Sequence, residues 1–266
     1  MDTNPGEDRP VGGGLAGRTA LVSGASRGIG LAIARRLAAE GMRVLLVARS
    51  AEAIGAAAAA MPGCAAHAAD LREPKAAADA VAAAVARFGR LDLLVHSAGA
   101  TQRGDFLALD DAAWEDGYAL KLFGGVRLCR AAWPHLAAAG GGIVLIAGVG
   151  GRVASADFTI GGSVNAALMN LTKALADRGV TDGVRVNCVN PGSIRTGRLT
   201  GRIAAVRAAR GLDEAAAARA LAAETGVARF GEPEEIAAAV AFLAGPQASY
   251  VQGAILDVDG GWVRAV

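Results

Sequence analysis

Phenols and ammonium groups are scarce in this 266-residue chain. Aromatic residues make up 4%, with only two tyrosines, Tyr118 and Tyr250, and only three of the 27 basic residues are lysines: Lys75, Lys121 and Lys173. Acid–base chemistry therefore has few side chains to draw on. The formal charge is +2, so no basic field argues for nucleic acid as a partner. Cys64, Cys129 and Cys188 lie far apart, in neither a disulfide framework nor a metal-ligand pattern, so no metal is expected and a reducing, cytoplasmic setting is. No apolar run has the length of a membrane span and no signal-peptide pattern opens the chain, so no membrane partner is expected.

What the chain does have is a strand, a glycine turn and a helix close to its start. Thr19 to Ser23 is a short apolar run suited to a buried parallel strand; glycines follow at 24, 28 and 30, and Leu31 to Leu37 repeats apolar residues at helical spacing. Such a break aims the helix's free N–H groups, with their partial positive charge, at a phosphate. Gly24 permits the tight turn, Gly28 the approach of a pyrophosphate and Gly30 close packing of helix on sheet. Residues 1–14, polar and rich in Pro and Gly, read as a flexible tail; strands alternating with helices over 15–266 predict one α/β domain, a Rossmann-type doubly wound parallel sheet.

The second strand, Arg43 to Ala48, decides which dinucleotide fits. An acid at its end would hold an adenosine ribose and repel a 2′-phosphate, but Ala48 stands there, followed by Arg49, with Arg27 in the glycine turn. Guanidinium groups bind phosphate bidentately, which favours NADP(H) over NAD(H). Asp110 to Leu136 reads as one long helix. His96, at a strand end, is read as a hydrogen-bonded structural residue rather than a general base.

The turn S-G-A-S-R-G-I-G resembles the TGxxxGIG turn of the short-chain dehydrogenases/reductases, and ordered motifs continue the resemblance from about Leu15 to the C-terminus. The resemblance assigns Gly24, Ser26, Arg27, Gly28, Ile29 and Gly30 to the phosphate turn, and Asp70 and Leu71 to the adenine. Ser97, Ala98 and Gly99, similar to the end of NNAG, would lie against the ribose. Pro191, Gly192, Ile194 and Thr196, in a run similar to N-x-PG-x-[IV]-x-T, would hold the nicotinamide. It also implies a mobile substrate lid at about 198–225 and assembly into a homotetramer or homodimer through two central helices, one passing Lys121 and one from about Ser163 to Arg178.

The same resemblance exposes a divergence. The positions of the family's catalytic Ser, Tyr and Lys fall at Gly148, Gly161 and Asn165, and its relay Asn falls at Lys121; no YxxxK pair exists anywhere in the chain. Lys and Asn have thus exchanged helices, which would put Lys121 and Asn165 in one catalytic pocket. Desolvation there would make the ammonium a usable acid or base. Val153, Ser155 and Phe158, between the two glycines, would line a small-molecule substrate. Three readings stay open. The leading one is an NADP(H)-dependent oxidoreductase acting on a carbonyl or alcohol through a non-standard site. The others are an inactive cofactor-binding sensor or partner subunit, and a non-redox enzyme using the cavity that two glycines would open.

Overall fold

The computed structural model describes residues 14–264, so all of the expected tail except Gly14 lies outside the described residues. The first half runs β1 (Thr19–Ser23), α1 (Gly28–Ala39), β2 (Arg43–Ala48), α2 (Ala51–Ala59), β3 (Ala65–Ala68), α3 (Ala76–Phe88) and β4 (Leu93–His96). The second half runs α4 (Asp111–Tyr118), a π-helical turn (Ala119–Phe123), α5 (Gly124–Ala139), β5 (Gly142–Ile146), α6 (Thr159–Asp182) and β6 (Arg185–Pro191). It closes with α7 (Gly197–Arg210), α8 (Glu214–Glu224), α9 (Pro233–Ala244) and β7 (Ile255–Val258).

All strand pairs are parallel, in the order β3-β2-β1-β4-β5-β6-β7, which is the doubly wound sheet the alternation of elements predicts. Both faces are covered, so the strands read as nearly unbroken apolar runs. Successive residues of β1 and β4 serve opposite layers: Val22 and Val95 pack with Ile33, Leu37 and Val240, while Leu21 and Leu94 pack with Val81, Leu128 and Leu168. Winding reverses between β1 and β4, and the loops at their carboxyl ends open a crevice at the switch point, where doubly wound sheets bind ligands.

The long helix expected over Asp110 to Leu136 is not one α-helix. It passes through the π turn, where the Gly124 N–H reaches back five residues to Ala119 O. The cause is close packing on the sheet. A Cβ at Gly124 would lie 3.2 Å from Leu71 O, and one at Gly125 2.9 Å from His96 Cδ2. The backbone there runs close to Leu71 and to the end of β4. Lys121 sits within this turn.

Gly30 is the tightest glycine of the first turn, since a Cβ there would sit 2.3 Å from Gly24 O, a backbone atom that cannot swing away. Gly30→Ala should destabilise the protein by about 1–3 kcal/mol or more. Gly55→Ala, on an exposed part of α2 with nothing within 4 Å, should instead gain up to about 1 kcal/mol from helix propensity. Thermal melts of the two variants check the contrast; equal shifts would show that the turn tolerates a side chain.

Candidate active site

The glycine turn meets the requirements of a phosphate cradle. The Gly24 N–H donates to Val47 O at 2.8 Å, and a Cβ on Gly24 would overlap the backbone of Ser97 and Ala98. No side chain caps the first turn of α1 at Arg27, so its N–H groups at Gly28, Ile29 and Gly30 are left facing the crevice mouth. Gly28 has φ +56, and a Cβ there would meet Thr196 Cγ2 at 3.3 Å. A side chain would thus narrow the gap between the turn and the loop after β6. The fit to a dinucleotide pyrophosphate rests on this glycine-lined gap. Ser26 is half-buried beside it and Arg27 is exposed.

The loop after β6 is held from behind. The Gly192 N–H donates to Val258 O at 3.1 Å, Pro191 ends the strand, and Ile194, buried, pairs with Gly231 in an isolated parallel bridge. At the adenosine side, Arg49 is two-thirds exposed and its guanidinium lies 3.9 Å from Asp70. Asp70 also accepts from the Arg72 backbone N–H and side chain, at 3.1 and 3.3 Å, beside the buried Leu71.

Lys121 and Asn165 do come together. The ammonium donates to Asn165 Oδ1 at 2.6 Å and to Ala147 O, at the end of β5, at 2.8 Å. Asn165 is buried, and its Nδ2 would lie 2.9 Å from a Cβ at Gly148. The Lys121 stem crosses Gly99, where a Cβ would be 2.8 Å from Lys121 Cδ. Gly99, expected against the ribose, thus also gives the lysine its path into the crevice. His96 is fully buried, as a structural histidine should be. Burial, with the nearby Lys121 charge, pushes it down to about 4, against a partly opposing hydrogen bond to Lys121 O.

The cavity expected from two glycines does not exist at Gly161. The Phe158 ring fills that space: a Cβ on Gly161 would lie 2.1 Å from Phe158 Cζ. Arg103, from the loop after β4, stacks on the ring at 3.9 Å, and its Nη1 donates to Asp157 Oδ2 at 2.8 Å. The sequence reading missed Arg103 because nothing local pairs it with a residue more than fifty positions away. Ser155 is exposed and donates its hydroxyl to Asp157, so it serves its own loop, while Val153 is half-buried. Over the stretch expected as a lid, α7 and α8 carry their own small apolar cluster, including Leu199, Ile203 and Leu221. A cavity of about 400 Å³ lies beneath α8, lined by Arg195, Ala218 and Phe230 among others, away from Lys121.

The packing at Gly161 predicts a change of sign. Gly161→Ala should cost about 1–3 kcal/mol, because the stacked ring must move. In a Phe158→Ala background the same substitution should be neutral or stabilising. A denaturant double-mutant cycle reads the difference, and additive effects would show that ring and glycine do not share the space.

A family model described as enoyl-(acyl carrier protein) reductase matches residues 24–263. The cis-4-hydroxycyclohexanecarboxylate dehydrogenase of Sinomonas cyclohexanicum is 39% identical over 261 residues, 95% of this chain and 99% of its own. Galactitol 2-dehydrogenase (L-tagatose-forming) of Cereibacter sphaeroides is 37% identical over 257 residues, 93% of this chain and 96% of its own. The structure of L-sorbose reductase from Gluconobacter frateurii, complexed with NADPH and L-sorbose, superposes with a TM-score of 0.92 at 31% identity, covering 96% of this chain and 100% of its own. A single-substitution variant of actinorhodin polyketide ketoreductase, solved with NADPH, gives 0.86 at 31%, covering 93% and 98%. The strand order, the glycine turn and matches spanning nearly the whole chain agree, and the chain belongs to the short-chain dehydrogenase/reductase family.

Proposed function

We propose that this protein is an NADP(H)-dependent oxidoreductase that interconverts a carbonyl and an alcohol on a small polyhydroxy or cyclic substrate, using Lys121 in place of the family's usual acid. The observation that carries the reading is the Lys121 ammonium held between Ala147 O and Asn165 Oδ1 at the crevice. The substrate class follows from the relatives, whose names specify galactitol, L-sorbose and a hydroxycyclohexane acid.

A nicotinamide bound here would supply or accept the hydride at the substrate carbon. Lys121 moves the proton: in reduction its ammonium donates to the carbonyl oxygen, and in oxidation the free amine takes the proton of the alcohol. Asn165 and Ala147 O aim the nitrogen, and Asn165, being neutral, adds no like charge. The glycine turn, Ile194 and Thr196 would hold the two ends of the dinucleotide, and Arg27 and Arg49 would suit a 2′-phosphate where Ala48 offers no competing acid. The lid at about 198–225, and assembly into a homotetramer or homodimer through the two central helices, belong to the same reading.

The seat of Phe158 over Gly161 favours one rival, a cofactor-binding protein without turnover, because it closes the space a phenol would occupy. Two experiments separate the readings. NADPH should bind more tightly than NADH by nicotinamide fluorescence, and Arg49→Ala should weaken NADPH alone by roughly ten- to a hundredfold, the worth of one charge-assisted phosphate contact. Equal affinities, or a loss confined to NADH, would overturn the assignment. Lys121→Met should lower NADPH-dependent reduction of ketoses and cyclic ketones by about 10²–10⁴ while leaving NADPH affinity nearly unchanged. Unaltered turnover in the variant would take the acid–base role away from Lys121, and none in the unmutated chain across that panel would favour the non-catalytic reading.

A further inference from the structure

Lys121 lies on a π turn, and its reach depends on how that turn is held. One buried side chain from the sheet touches the turn at Lys121 itself. His96, the last residue of β4, has Nε2 2.9 Å from Lys121 O and Nδ1 2.9 Å from Ser23 Oγ. Ser23 is the last residue of β1, paired with His96 in the sheet register.

These contacts admit one arrangement of protons. A carbonyl oxygen only accepts, so Nε2 carries the hydrogen. The ring is buried and neutral, which leaves Nδ1 bare and able to accept. Ser23 Oγ already accepts from the Ser97 and Ala98 N–H groups at 3.1 and 3.2 Å, so its own O–H is left to donate to Nδ1. Every donor in the circuit has an acceptor, and the direction runs from the strand-end amides through Ser23 and His96 to the backbone of Lys121. Gly125 makes room for the ring, since a Cβ there would lie 2.9 Å from His96 Cδ2.

We infer that Ser23 and His96 are positioning residues: as a one-way hydrogen-bond strut from the β1–β4 strand ends, they pin the π turn so that the Lys121 ammonium reaches Ala147 O and Asn165. The strut matters to turnover only if Lys121 has the role proposed above, but its existence is tested without turnover.

Long-range ¹H–¹⁵N spectra of the full chain labelled with ¹⁵N-histidine should show His96 as the Nε2–H tautomer at pH 7. Competitive acetylation followed by mass spectrometry then reads Lys121 against Lys75 and Lys173 as internal references. In His96→Asn, whose amide retains an acceptor near Ser23 but is too short for Lys121 O, Lys121 should react roughly five- to tenfold faster, the equivalent of loosening one charge-assisted hydrogen bond. His96→Gln, which restores a donor at the Nε2 position, should return the rate toward that of the unmutated chain. An Nδ1–H tautomer overturns the inference in the unmutated protein, whether or not the variants fold. An unchanged Lys121 rate in His96→Asn, a common rise at all three lysines, or equal gains in both variants would also overturn it. Failure of the catalytic reading alone would appear as this reactivity pattern intact beside a Lys121→Met variant with undiminished turnover.

Discussion

An ammonium shared between a strand-end carbonyl and a buried amide ties three distant segments of this chain into one site. Lys121 comes from a π turn, Ala147 from the end of β5 and Asn165 from the second turn of α6. An ammonium in a partly dry crevice must find acceptors or leave for water. Here a neutral amide and a backbone carbonyl both accept from it. The surroundings are shaped to allow it: Gly99 leaves a path for the stem, and Gly148 leaves room for the Asn165 amide. Two of the family-motif positions thus act as clearance for a single lysine and its partner.

The packing at Gly161 is built by a different kind of force. Phe158 occupies the volume that Gly161 vacates, and Arg103 clamps the ring by stacking on it while bonding Asp157. Close packing rather than an open void is the normal state of a protein interior, and an aromatic ring fills such a gap at little entropic cost. The lack of a large side chain at Gly161 is therefore compensated by a neighbour three residues earlier.

The doubly wound fold, the strand–turn–helix at its start and the order of the turn's glycines were legible in the chain because their causes are local. A five-residue apolar strand, three spaced glycines and a helical repeat each depend on the pleat, the turn or the helix period. The expectation that Lys121 and Asn165 share a pocket came only from the family resemblance, which places them on exchanged catalytic positions; the inward turn of the lysine is a finding of the structure. What escaped were contacts with no sequence period: Arg103 on Phe158, Ser23 beneath His96, and the π turn that interrupts a run reading as one α-helix. Each joins residues far apart in sequence or follows from how closely backbone meets backbone.

The sequence by itself determined the sheet, the glycine turn, the absence of an acid at Ala48 and the short supply of tyrosine and lysine, since these follow from residue identity and short-range geometry. Only the tertiary structure decided that the Gly161 space is filled, that His96 faces a carbonyl, and that Lys121 turns inward to Ala147 and Asn165. Those outcomes are set by volume and hydrogen-bond direction where loops from several strands converge, and no window of the chain contains them.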